Sequence, residues 1–173
     1  MDDWRIEPFD STHGRGGFCC GKAPLDDFLR SRVSQYERRR LGRTFVAVRP
    51  DQKKVLGYYT LAAGSVSFEH LPPAAARKLP KHPAPVALLG RLAVDRAAQG
   101  RGLGVFLLMN ALKRCLELSA RLGIHAVEVL AIDDEAKRFY LKYGFIPLLD
   151  NDRHLYFPVK TIEAELRGED QDD

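Results

Sequence analysis

The chain has 173 residues, 45% of them hydrophobic, with 27 Lys and Arg against 23 Asp and Glu for a formal charge of +4. That content suffices for one core of ordinary size, whereas three cysteines exclude a disulfide framework and show no zinc-ligand spacing. With no basic, apolar leader and no run of about eighteen apolar residues, the expectation is one cytoplasmic domain over residues 1–167, off the membrane, and a disordered acidic tail over 168–173.

Along the chain, Trp4 to Pro8 reads as a short strand. Pro24 then opens a helix whose apolar stripe is Leu25, Phe28, Leu29, Val33 and Tyr36. Arg43 to Arg49 and Val55 to Ser67 are rich in β-branched and aromatic residues and flank the turn segment Pro50 to Lys54, which predicts a hairpin. Five prolines make Phe68 to Pro85 mostly irregular, with one helical turn at Ala74 to Lys78. Val86 to Val94 is the central strand and Val105 to Leu122 a long apolar helix closed by Gly123 as its C′ residue. Ala126 to Ile132 is the next buried strand, Asp133 or Asp134 caps a helix that carries Tyr140, and Gly144 ends it. His154 to Val159 adds a last strand and Ile162 to Leu166 a terminal helical turn. The order predicts an α/β chain (α+β in layout): an open mixed sheet flanked by helices.

Between the central strand and the long helix stands Gln99-Gly100-Arg101-Gly102-Leu103-Gly104. A glycine-rich turn at a helix N-terminus gathers backbone N–H groups at the positive end of the helix dipole, so it suits a phosphate. Gly102 and Gly104 are expected to supply the unusual backbone angles and the missing Cβ atoms. Neither Gly-x4-Gly-Lys-Ser/Thr nor Gly-x-Gly-x-x-Gly with a following acid is present. What remains is Gln-x-x-Gly-x-Gly.

That string, with Ala136-Lys-Arg-Phe-Tyr140-Leu-Lys-Tyr-Gly144-Phe145 after it, resembles the GNAT superfamily of acetyl-CoA-dependent N-acetyltransferases. Phe18-Cys-Cys-Gly21, Pro24-Leu-Asp-Asp-Phe-Leu29, Gly57-Tyr-Tyr-Thr60, Leu89-Gly-Arg-Leu-Ala93 and Phe145-Ile-Pro-Leu148 narrow it to the acetyltransferase toxins of bacterial toxin–antitoxin modules, over roughly Arg5 to Ile162. The resemblance implies the GNAT fold, in which a bulge splays the central strand and frees backbone for the pantetheine arm, here Leu92, Ala93 and Val94. It implies acetyl-CoA as co-substrate, held by Gln99, Gly100, Arg101, Gly102, Leu103 and Gly104, and Tyr140 as the acid beside the departing sulfur. It further implies acetylation of the α-amine of an amino acid on charged tRNA, a block of translation, a ribbon-helix-helix antitoxin that silences the enzyme, and a homodimer.

Tyr143 is the competing tyrosine, three residues on. No base is assigned: Glu128 alternates with core residues on a strand, and Asp133 is explained as a helix cap. The five histidines show no ligand spacing, so no metal is expected, and Cys115 reads as a core filler. Arg38, Arg39 and Arg40, with Arg77 and Lys78 in a second basic cluster, are the candidate RNA contacts. Two other functions are compatible with these features: a GNAT enzyme that acetylates a protein or small-molecule amine, and a non-catalytic CoA- or RNA-binding protein.

Overall fold

The computed structural model describes residues 3–169. The chain divides into two compact units, one of residues up to Ala62 with Leu89–Ala111, the other of Ala63–Leu88 with the residues from Leu112 onward.

In the first unit, β1 (Arg5–Pro8) pairs antiparallel with β2 (Arg43–Val48), Arg5 opposite Val48. β2 in turn pairs antiparallel with β3 (Gly57–Val66), Arg43 opposite Leu61 and Ala47 opposite Gly57. Thr44 to Val48 are all buried, so β2 lacks the polar alternation of a half-exposed strand. Over these strands lies a helical arm, α1 (Ala23–Asp27), a π turn (Phe28–Arg32) and α2 (Val33–Arg38). Its Leu25, Phe28, Leu29 and Val33 share a core with Phe18, Val46, Val48, Val55, Tyr58 and Ala93.

The arm departs from the uninterrupted helix that the apolar stripe predicts. The N–H of Val33 reaches back five residues to the carbonyl of Phe28, which inserts one extra residue and displaces neighbouring carbonyls from the helical ladder. Arg15 compensates: it donates to the carbonyl of Leu29 at 3.1 Å and to the Ser34 hydroxyl at 3.2 Å, and Arg30 donates to the carbonyl of Phe18. This unit also holds the second half of β4 (Ala84–Val94) and the first turns of α4 (Leu103–Ser119). The close approach of α4 explains Gly57, where a Cβ would stand 2.9 Å from Leu107 Cδ1 and 3.0 Å from the carbonyl of Ala93.

In the second unit, β4 runs parallel to β5 (Ala126–Leu130) in a register that spans Val86 to Leu88. β5 pairs antiparallel with β7 (His154–Pro158), and the short β6 (Ile146–Pro147) adds to β7. The helices α3 (Pro73–Ala76), α5 (Asp134–Lys142) and α6 (Val159–Glu169) belong here, with α4 from Leu112 onward. One core cluster gathers Val66, Leu71, Val86, Ala126, Leu148 and Tyr156. The strand order β1-β2-β3-β4-β5-β7-β6 is the expected mixed sheet.

Three further boundaries differ from those expected of the sequence. Helix α4 ends at Ser119, and the N–H groups of Arg121 and Leu122 both bond to the carbonyl of Leu118. Gly123 is therefore not its closing residue and has no positive φ. β6, two residues long with a proline, is below the length at which period-2 patterning registers. α6 starts earlier than expected, at Val159, and includes Gly168 and Glu169 of the segment expected to be a tail; 170–173 lie outside the described residues.

Candidate active site

The turn between β4 and α4 is built from short-range geometry and held by long-range ties. Asp95, buried at the end of β4, accepts from the N–H of Ala97 at 2.9 Å and caps a 3-10 turn over Arg96–Ala98. Its second oxygen accepts from the N–H of Cys19 at 3.0 Å, and the N–H of Arg96 bonds to the carbonyl of Cys19 at 2.9 Å. Gln99 donates its side-chain amide to the carbonyls of Cys20 (3.0 Å) and Val94 (2.9 Å), so its head ties the turn to its surroundings. The adjacent cysteines thus form a backbone clasp on the turn. The Asp95 cap was readable as an Asp at a strand end ahead of Arg-Ala-Ala; the clasp had no local signal.

Gly100 and Gly102 have φ of 79° and 86°, and a Cβ on either would meet nothing within 4 Å. Here the backbone conformation demands glycine, and the space in front of it is open. Gly104 departs from expectation: it lies in the first turn of α4 and is not among the glycines with positive φ. The positive-φ pair is Gly100 and Gly102. The first ladder bond of α4 runs from the N–H of Phe106 to the carbonyl of Gly102, and the earlier N–H groups of a helix lack ladder partners. On β4, Leu92, Ala93 and Val94 lie beyond the register with β5.

In the second unit Asp133 caps α5 by accepting from the N–H of Ala136 at 2.8 Å. Gly144, at φ 97°, ends that helix with a Cβ position 3.1 Å from Phe157 Cε2. The ring of Tyr140 is buried edge-on against Phe139 and Phe145, at centroid distances of 5.3 and 5.2 Å. Its hydroxyl has no hydrogen-bond partner among the described residues, and burial pushes its pKa well above the usual tyrosine range. Tyr140 therefore stays protonated and able to donate at neutral pH. Tyr143, half-buried, forms the C-cap of α5.

Residues 18–145 match the acetyltransferase (GNAT) family. The chain belongs to that family. Among its relatives is the tRNA-acetylating toxin of Mycobacterium tuberculosis, 40% identical over 147 residues that make up 85% of this chain and 87% of the toxin. The structure of AtaT complexed with acetyl-methionyl-tRNA superposes with a TM-score of 0.88 at 34% identity, covering 95% of this chain and 99% of that one. A tyrosine-to-phenylalanine mutant of the AtaT toxin, bound to the C-terminus of the antitoxin AtaR and acetyl-CoA, superposes with a TM-score of 0.82 at 34% identity and covers the same shares.

In the second unit of the acetyltransferase, Glu128 is half-buried on β5, 3.5 Å from His154 Nε2. Burial raises the Glu128 pKa, and His154 pulls it back down in part. His154 also meets the Asp150 carboxylate at 2.9 Å through Nδ1, while Glu128 Oε2 is buried without a hydrogen bond among the described residues. Arg38, Arg39 and Arg40 are exposed at the end of α2, where Arg40 takes a φ of 57°. Arg77 and Lys78, in the second unit, are exposed just after α3. Cys20 is half-buried and its thiol is pushed up to about 11, chiefly by burial and then by Asp26, while burial carries Cys115 up to about 12. Neither is a reactive thiolate. Among the described residues no His, Cys, Asp or Glu group fits a metal ion, and no helix is long and apolar enough to cross a membrane.

Proposed function

We propose that this acetyltransferase moves the acetyl group of acetyl-CoA to the α-amine of the amino acid on a charged tRNA and so removes that amine from peptide-bond formation. The observation that carries the reading is the pinned turn: two positive-φ glycines with open space before them, at the N-terminus of a 17-residue helix. Such a cradle fits a pyrophosphate. In this reading Gly100, Arg101, Gly102, Leu103 and Gly104 hold it through backbone N–H groups. Gln99 fixes the shape of the turn, and the backbone of Leu92, Ala93 and Val94 pairs with the pantetheine arm. Residues 1–167 then act as one GNAT domain, a reading supported by a family match that draws on both compact units.

Acetyl-CoA supplies an activated acyl thioester, so the chain's work is to position the acceptor amine and manage one proton. Tyr140 donates its hydroxyl proton to the sulfur as the carbon–sulfur bond breaks, and the proton lost by the attacking amine restores the balance through solvent. The α-amine of an aminoacyl ester is less basic than a lysine amine, so much of it is neutral near pH 7 without a dedicated base. Arg38, Arg39 and Arg40, with Arg77 and Lys78, supply positive charge for the tRNA backbone.

A further part of the reading is control by a small ribbon-helix-helix antitoxin, with the toxin acting as a cytoplasmic homodimer. The AtaT mutant bound to the C-terminus of AtaR supports the antitoxin. The deciding experiment incubates the protein with labelled acetyl-CoA and a charged-tRNA pool, with coenzyme A thiol release followed in parallel. Label on aminoacyl esters is the expected result; label only on protein lysines or free amines would overturn it. Co-expression with the neighbouring gene product, size exclusion and the same assay test the partner and the dimer.

A further inference from the structure

Strand β4 presents Leu89, Arg91 and Ala93 to one side by its two-residue period. Leu89 and Ala93 are buried, and Ala93 joins the core beneath the helical arm. Arg91, between them, is only half-buried. Its guanidinium carbon lies 3.7 Å from the ring centroid of Phe28 and 5.2 Å from that of Tyr36. Among the described residues it has no ion-pair or hydrogen-bond partner.

The π turn makes this aromatic corner. Phe28 and Tyr36 are eight positions apart, which in a uniform α-helix would set them about 80° apart around the axis. One extra residue in the π turn makes the pair equivalent to an i, i+7 spacing, about 20° apart. Both rings then face Arg91, with centroids 5.1 Å apart and planes at 84°. A cation–π contact satisfies none of the guanidinium's five N–H donors as a hydrogen bond to oxygen would. A partly desolvated cation centred 3.7 Å over the Phe28 ring, with no ion-pair or hydrogen-bond partner among the described residues, is prepared for an external oxyanion.

Position along β4 says which oxyanion, and this step rests on the acetyl-transfer reading above. If the pyrophosphate lies at Gly100 to Gly104 and the pantetheine on Leu92 to Val94, each residue back along β4 moves about 3.3 Å toward the acyl end. Arg91 is the first side chain beyond that stretch, where the acceptor amine must arrive. The acceptor end of a charged tRNA brings its last phosphodiesters there with the amine. We propose that Arg91 binds a phosphate oxygen of the 3′-terminal nucleotides and seats the aminoacyl end, with Phe28 and Tyr36 holding the guanidinium in place.

The test compares wild type, Arg91→Lys and Phe28→Leu on two acceptors: charged tRNA, and an aminoacyl-adenosine that has the same ester and amine but no phosphodiester. Arg91→Lys keeps the charge and loses the planar fork; Phe28→Leu keeps an apolar side chain and loses the ring. The expected result is a KM for charged tRNA raised about tenfold or more in Arg91→Lys, the worth of one charge-assisted hydrogen bond. Phe28→Leu should give a smaller rise in the same direction. For both variants the KM for acetyl-CoA and kcat/KM on aminoacyl-adenosine should stay within about twofold of wild type. Equal losses on both acceptors, or none on charged tRNA, would overturn the proposal. Wild type inactive on charged tRNA would instead overturn the reading on which it rests.

Discussion

Replacing Tyr140 with phenylalanine separates chemistry from folding. The ring packs against Phe139 and Phe145, and the hydroxyl has no hydrogen-bond partner among the described residues. Its removal therefore strands no buried donor, and stability should change by no more than about 1 kcal/mol, or about 2–4 °C in Tm for a chain of this size. The loss should appear in turnover. A general acid is worth about a hundred- to ten-thousand-fold, equivalent to about 2.7–5.4 kcal/mol of barrier. The acid works only while protonated, so activity that depends on it is lost as pH rises through its pKa. Because burial lifts that pKa above the ordinary value of 10.0, Tyr140 should impose no alkaline limb on kcat/KM below about pH 10. Stopped assays of acetyl transfer to charged tRNA, with calorimetric Kd for acetyl-CoA and thermal melts alongside, measure all three quantities. Activity within a few-fold of wild type would refute the assignment, and a larger loss in Tyr143→Phe would move it to that residue.

Gly102→Val forces a β-branched residue into φ 86°, which should cost about 1–2 kcal/mol of stability and weaken acetyl-CoA binding by calorimetry. Gly104→Ala, in the right-handed first turn of α4, should leave the apo melting temperature unchanged or raise it by the equivalent of about 1 kcal/mol at most. Changing Arg38, Arg39 and Arg40 together to alanine should lower tRNA affinity and reduce the slope of log K against log salt by up to about 0.9 for each phosphate no longer neutralised, with acetyl-CoA affinity intact. For Glu128 the sign follows from burial: its raised pKa means that the folded state holds the proton more tightly than the unfolded chain, so the carboxylate weakens folding as pH rises above 4.5. Melts of Glu128→Gln should match wild type at more acidic pH and become relatively more stable toward neutrality; a variant that instead falls behind at neutral pH would show that the His154 interaction outweighs the burial cost.

The sequence alone determined the features whose causes lie within a few residues. The Asp133 cap bonds a group three positions on, Pro24 opens its helix, and Gly144 closes another because only glycine adopts that turn without strain. The strand, glycine-rich turn and helix were legible for the same reason, as was the mixed sheet, since hydrophobic period and turn chemistry are local properties. Legibility stopped at the details of the turn. That Gly100 and not Gly104 shares the positive φ with Gly102 depends on where α4 begins, and a helix boundary is set by packing as much as by propensity. The ties from Cys19 to Asp95 and from Gln99 to Cys20 join residues 76 and 79 positions apart, so no window of sequence contains both partners. Arg91 makes the same point: in the sequence it is one charged residue inside an apolar strand. Only the packing of the arm over β4, with the π turn rotating Tyr36 into line with Phe28, sets that guanidinium against an aromatic corner, because register and face are decided when the elements pack and not when each one forms.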